Sequence, residues 1–114
     1  GVHLGTAVSR RVADAGEAAA LMARLRADPP HVLAGFAVTT TDLLQRHGAH
    51  RTDALIFAGG HSDTSVRVVV RPSGTEPKLK CYIEVRLPAG DDLAAARASA
   101  QQLRDQLVDE VRAW

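Results

Sequence analysis

The stretch RPSGTEPK, called the RPSGTEPK segment below, combines side chains that suit the binding of an oxyanion. Arg71 carries a planar, permanently charged guanidinium that can donate two parallel hydrogen bonds to a phosphate or a carboxylate. Ser73 and Thr75 add hydroxyl donors on either side of Gly74, which lets a ligand approach the backbone. Gly74 can also take a positive φ, which would aim successive N–H groups into a concave anion nest. The segment therefore predicts a phosphate-binding loop.

The remaining residues of the segment add charge and stiffness but no acid or base. Lys78 supplies a second positive charge at its exit, and Pro72 and Pro77 restrict the backbone, which lowers the entropy cost of ordering on binding. No side chain in the segment has an ordinary pKa near neutrality, so binding is favoured over proton transfer. A stiff hairpin turn remains the alternative interpretation, because Pro, Ser, Gly and Thr are common turn residues.

The segment joins two stretches with the composition of β-strands, SVRVVV before it and LKCYIEV after it. In the second stretch apolar and polar side chains alternate strictly, which predicts a strand with one buried and one exposed face. The predicted buried side chains are Leu79, Cys81, Ile83, Val85 and Leu87, and the predicted exposed ones are Lys80, Tyr82, Glu84 and Arg86.

Two helices are predicted from apolar residues spaced three and four apart. The first covers residues 15–27, and Asp14 and Glu17 form a capping-box pattern at its start. The second begins after Asp91 and Asp92. Its apolar stripe consists of Leu93, Ala96, Ala100, Leu103, Leu107, Val111 and Trp114.

Three further strands are predicted over residues 2–12, 32–39 and 54–58. A turn at GGHSD follows the last of them, with Gly59 and Gly60 free to take positive φ. The element order is then β-α-β-β-β-β-α. It predicts an α+β domain of two layers, with a mostly antiparallel sheet and both helices on one face.

Composition limits the functions that the chain can have. A length of 114 residues suits one domain. The balance of 14 Lys and Arg against 13 Asp and Glu gives a net charge of +1, which provides no electrostatic drive toward nucleic acid or an anionic membrane. No apolar run could span a bilayer, and a lone cysteine cannot form an internal disulfide. We therefore expect a cytoplasmic protein with no nucleic-acid or membrane partner.

The string RPSGTEPK followed by LKCYIEV resembles the phosphate-binding loop of the α-D-phosphohexomutases, the phosphoglucomutase/phosphomannomutase superfamily. The element order is also similar to that of the family's C-terminal domain, which has a TATA-box-binding-protein-like fold. The resemblance implies that residues 1–114 are the C-terminal domain of a four-domain enzyme. In that enzyme the domain holds the phosphate of the sugar that is not being transferred.

The resemblance also implies a role for individual residues. The family's Arg, Ser and Thr contacts to phosphate fall on Arg71, Ser73 and Thr75, while Gly74 would offer its backbone N–H and Lys78 a more distant charge. The expected partners are a phosphosugar substrate, its sugar bisphosphate intermediate and the preceding domains of the parent chain. Glucose, mannose, pentose and glucosamine phosphates all remain open as substrates.

The family's motifs for chemistry do not occur in this sequence. The family transfers a phosphoryl group with a phosphoserine and a Mg²⁺ held by a D-G-D-x-D-R loop, and recognises the sugar with a G-E-x-S-G loop. We therefore expect this chain to be catalytically inert alone and to bind no metal. It would serve an isomerase of carbohydrate metabolism whose Mg²⁺ ligands lie elsewhere in the parent chain.

Two functions from other classes stay open. A sheet with two helices on one face is also the architecture of RNA-recognition modules, and the TATA-box-binding fold itself binds DNA. Such proteins need aromatic side chains on the sheet face or a strongly basic field, whereas the exposed face predicted here offers only Tyr82 among mixed charges. A protein-interaction module is the other alternative, and it predicts no anion affinity at the segment.

Other polar clusters are predicted to be solvated. His47, His50 and His61 have no Cys or carboxylate partner at the spacing of a structural zinc site. The resemblance places the first strand near an interdomain hinge, so Arg10 or Arg11 is expected to face a neighbouring domain.

Overall fold

The computed structural model describes all 114 residues as two helices packed on a six-stranded antiparallel sheet. The strand order is β1-β6-β5-β4-β3-β2. The elements are β1 (Val2–Arg11), α1 (Ala15–Ala27), β2 (Val32–Leu33), β3 (Phe36–Asp42), β4 (Leu55–His61), β5 (Thr64–Pro72), β6 (Lys78–Leu87) and α2 (Leu93–Arg112). Two short 3₁₀ turns lie between β3 and β4, at Leu43–Gln45 and Gly48–His50. Neither α-helix combines the length and the apolarity needed to cross a lipid bilayer. The predicted α+β fold is confirmed.

Helix α1 has the bounds that the sequence predicts, because its capping pattern forms. Asp14 Oδ1 accepts the N–H of Glu17 at 2.8 Å, and Glu17 Oε2 accepts the N–H of Ala13 at 3.2 Å. Two N–H groups that the first turn would leave without partners are thereby satisfied. The buried face of the helix consists of Ala18, Leu21, Met22 and Leu25.

Helix α2 packs its predicted apolar stripe against the core, except at its first residue. Asp92 caps it by accepting the N–H of Ala95 at 3.0 Å. Leu93 is 51% exposed, so its assignment to the buried stripe is wrong, because residues 93–95 precede the part of the helix that packs on the sheet. Near the other end, the Trp114 ring meets that of Phe57 edge to face, with centroids 5.8 Å apart.

The core lies between the helices and one face of the sheet and contains no buried polar or charged residue. Cys81 lies within it, as the alternation of β6 predicts, and is fully buried. Burial raises the pKa of its thiol to about 12. Cys81 is therefore a small apolar core residue, and its neutral thiol is a poor nucleophile.

The single strand predicted over residues 32–39 is wrong, because a tight turn divides it into β2 and β3. Ala34 and Gly35 form the turn with φ of 50° and 81°, the values of a type I′ hairpin. The N–H of Ala34 donates to Glu110 Oε2 of α2 at 2.7 Å. This tertiary contact supports a positive φ at alanine, which sequence reasoning does not anticipate.

The sequence leaves Gly59 and Gly60 free to take positive φ, but neither does so, because both residues lie within β4. The turn to β5 falls at Ser62, with φ of 55°, and Asp63. Gly59 is needed for a different reason. A Cβ at that position would lie 2.0 Å from the carbonyl oxygen of Ala37 on β3, closer than any real contact.

An ion-pair network joins α1 to the end of β3 and to the residues just before β4. The Arg26 guanidinium contacts both carboxylate oxygens of Asp42, at 2.8 and 3.2 Å, and Asp53 Oδ1 at 2.9 Å. Hydrogen bonding to Arg26 holds the pKa of Asp42 below its ordinary value. Asp42 is mostly covered while Asp53 is about half exposed, so the pair with Asp42 is the stronger of the two.

Asp42→Asn should lower the free energy of unfolding by about 1.5 kcal/mol at neutral pH, because it removes the charge from a two-point hydrogen-bonded pair. The folded-state pKa of Asp42 lies below the unfolded one, so its stabilisation is present above about pH 4 and is lost as pH falls further. Urea unfolding at several pH values should show the difference between variant and wild type shrinking toward pH 3. Asp53→Asn is the matched control and should cost less than about 0.5 kcal/mol.

Candidate functional site

The RPSGTEPK segment closes the hairpin between β5 and β6. Pro72 pairs with Leu79 at the end of the ladder. Within the segment, the N–H of Ser73 donates to the carbonyl of Lys78 at 3.0 Å. The carbonyl of Pro77 also accepts the N–H of Val12 at 3.0 Å. These backbone hydrogen bonds anchor the segment where β1 and β5 end and β6 begins.

Arg71 lies on the open face of the sheet, which the helices do not cover. Its guanidinium sits over the Tyr82 ring, with Cζ 5.9 Å from the ring centroid. The guanidinium forms no ion pair within the chain. A cation supported by an aromatic face and left without a counter-charge is available to an anionic ligand.

The anion nest that the sequence allows at Gly74 is absent from this conformation. The φ of Gly74 is not positive, and the N–H groups of Thr75 and Glu76 donate to Ser73 Oγ at 3.3 and 3.2 Å. The amide of Gly74 has no acceptor in the chain, and a Cβ there would meet nothing within 4 Å. The fold itself does not require glycine at this position, and the space where a side chain would begin is open.

Glu76 forms ion pairs with two cations, Arg11 and Lys78. Its Oε2 lies 3.2 Å from Arg11 Nη1 and 3.8 Å from Lys78 Nζ. The hydrogen bond from Arg11, followed by the charge of Lys78, holds the pKa of Glu76 below its ordinary value. The carboxylate is therefore ionised at neutral pH, and Lys78 is engaged rather than free.

The two arginines at the end of β1 have different environments. Arg10 donates from Nε to the Trp114 carbonyl at 3.1 Å and so lies against the end of α2. Arg11 is exposed beside Glu76. Of the two, only Arg11 lies next to the segment, and its role toward a neighbouring domain stays a prediction.

The structure adds Lys80 to the residues that sequence reasoning selected. It pairs with Arg71 across the β5–β6 ladder, and Tyr82 pairs with Val69 one step further along the same face. Alternation alone places Lys80 and Tyr82 on the polar face. Only the register brings the Lys80 side chain next to that of Arg71.

The segment as a whole offers hydrogen-bond donors without a catalytic acid or base. The side chain of Arg71, the amide of Gly74 and the hydroxyl hydrogens of Ser73 and Thr75 have no intramolecular acceptor. Such a set can bind a tetrahedral oxyanion. No group of three or more His, Cys, Asp or Glu side chains converges anywhere in the chain, so its residues do not fit a Mg²⁺ site.

Known proteins of the phosphohexomutase family are similar to this chain over most of its length. The family described as phosphoglucomutase/phosphomannomutase, C-terminal domain, matches residues 8–110. A probable phosphomannomutase of Haemophilus influenzae is 36% identical over 87 residues, 75% of this chain and 17% of that protein. A phosphoglucosamine mutase of Thermobifida fusca is 34% identical over 113 residues, 98% of this chain and 22% of that protein.

A phosphoglucomutase of Staphylococcus aureus is 31% identical over 84 residues, 66% of this chain and 15% of that protein. The chain thus spans about a fifth of the length of these three relatives, whose shares are 17%, 22% and 15%. The fold, the hairpin that carries RPSGTEPK and the family match agree, and the chain belongs to the phosphoglucomutase/phosphomannomutase family as its C-terminal domain.

Proposed function

We propose that the RPSGTEPK segment binds the phosphate group of a phosphosugar, as part of a phosphohexomutase. The observation that carries this proposal is that the Arg71 guanidinium has no counter-charge in the chain and that three further donors of the segment have no acceptor. Arg71 would take two phosphate oxygens in its planar fork, and the Ser73 and Thr75 hydroxyls and the Gly74 amide would take the others. Lys78 would contribute only long-range charge, because Glu76 engages it.

The local charge favours a doubly charged ligand. Four cations, Arg11, Arg71, Lys78 and Lys80, lie in the segment or on the strand residues next to it, against one carboxylate, that of Glu76, so the segment retains a net positive field. The field is local to the RPSGTEPK segment and its neighbours, since the net charge of the whole chain is only +1. A small anion at the segment therefore fits this distribution better than a polyanion lying across the whole sheet.

In the parent enzyme, this site would hold the phosphate that is not being transferred, on a phosphosugar or a sugar bisphosphate. Binding a remote phosphate contributes energy that positions the reacting end of the sugar. Phosphoryl transfer, its Mg²⁺ and the choice of sugar would belong to preceding domains, since the segment has no group suited to proton transfer. We propose that the parent enzyme is a cytoplasmic intramolecular phosphotransferase and that this chain is inert without it.

A titration of the ¹⁵N-labelled chain with inorganic phosphate, at constant ionic strength maintained with NaCl, tests the proposal. We expect the amide signals of Gly74 and Thr75 to shift saturably at millimolar phosphate while those of α2 stay unchanged. Equal shifts with chloride, or no shift, would contradict phosphate binding by this chain. Shifts spread over the open sheet face with an oligonucleotide, and none with phosphate, would favour a nucleic-acid module instead.

A further inference from the structure

Two lysines lie near the segment, and the chain treats them differently. Lys78 Nζ lies 3.8 Å from Glu76, and its side chain is only 15% exposed. Lys80 has no carboxylate within ion-pair distance. The lysine inside the sequence motif is therefore the engaged one, and the lysine outside the motif is free.

The ladder places Lys80 where a second cation could reach a ligand of Arg71. The two residues are direct cross-strand partners on the open face. The side chains of such partners start about 5 Å apart, and like charges so close repel each other unless an anion lies between them.

Tyr82 closes the third side of this position. Its ring lies under the Arg71 guanidinium and limits the directions in which the fork can point. Because Tyr82 lies on β6, the guanidinium leans toward β6, the strand of Lys80, rather than toward β4. Arg71 and Lys80 thus present two unpaired cations on neighbouring strands, one residue pair before the end of the ladder that leads into the segment.

We propose that Lys80, rather than the motif lysine Lys78, is the second phosphate-binding cation. Lys78 is instead a structural partner that keeps Glu76 away from the ligand. The inference rests on the proposed function, since both concern the same phosphate. It differs in assigning direct contact to a residue outside the RPSGTEPK segment.

Charge-matched variants test the inference. Lys80→Met and Lys78→Met each remove one positive charge, and both are titrated with inorganic phosphate at constant ionic strength. We expect Lys80→Met to raise the Kd by about threefold to fivefold and Lys78→Met to change it by less than about twofold, as the loss of an exposed contact implies. Lys80→Arg should restore wild-type affinity.

A readout on the wild-type chain keeps the test independent of folding in the variants. The side-chain methylene signals next to Nζ should shift with phosphate for Lys80 and not for Lys78. Equal losses in the two Met variants, or a shift confined to Lys78, would overturn the inference while phosphate binding itself stands. No amide response of Gly74 and Thr75 in the wild type would overturn both.

Discussion

Arg71→Ala should abolish the phosphate-dependent shifts of the Gly74 and Thr75 amides and raise the Kd at least about tenfold. The guanidinium of Arg71 is the strongest donor of the proposed site, because its two hydrogen bonds to phosphate would be charge-assisted and bidentate. The free energy of unfolding should stay within about 0.5 kcal/mol of wild type, because the side chain is exposed and forms no ion pair. The titration described for the wild-type chain measures the first effect, and urea unfolding measures the second.

Arg67→Ala is the matched control. Arg67 lies four residues earlier on the same face of β5 and contacts Glu84 loosely at 3.9 Å, and its replacement removes the same charge. Phosphate affinity should change by less than about twofold in this variant, because only the long-range field is altered. If Arg71→Ala and Arg67→Ala weaken binding equally, the binding is diffuse and Arg71 has no special role.

Gly59→Ala should lower the free energy of unfolding by about 3 kcal/mol or more, because the new methyl group would overlap backbone that cannot move independently. A Cβ at Gly59 would lie 2.0 Å from the carbonyl oxygen and 3.0 Å from the carbonyl carbon of Ala37. Relief requires β3 to separate from β4, at the pair Val38 and Gly59. Urea unfolding followed by circular dichroism measures the loss.

Gly5→Ala makes the same change where the sheet has room. Gly5 lies in β1, and a Cβ there would meet only the Ile83 carbonyl oxygen, at 3.8 Å. We expect a change within about 0.5 kcal/mol, since ordinary contact is made and the unfolded chain loses some freedom. A similar small effect for Gly59→Ala would show that β3 and β4 do not approach each other so closely.

Elements with strong local signals are predicted correctly from the sequence. Helix α1 has its predicted bounds because Asp14 and Glu17 satisfy the first turn with side chains only three residues apart. Strand β6 has its predicted faces because strict alternation leaves one arrangement that buries Cys81 and exposes Tyr82. In both cases the deciding interactions lie within the element.

The predictions that failed depend on distant parts of the chain. Ala34 holds a positive φ, and its amide donates to the carboxylate of Glu110, 76 residues away. Gly59 looks like a turn residue in the sequence, yet it serves the close approach of β3. Neither contact leaves a trace in the local sequence, since glycine and alanine are compatible with many backbone states.

For the candidate site, the sequence by itself determined the donors, the stiff backbone of RPSGTEPK and the absence of an acid or base near neutrality. The tertiary structure decided which charges are free. Arg11, 65 residues from Glu76, helps to bind that carboxylate, while Lys78 closes the same ion-pair group and Arg71 is left open beside Lys80. Charge pairing depends on distances of a few ångströms, and those distances follow from the register of β1, β6 and β5 rather than from the order of residues.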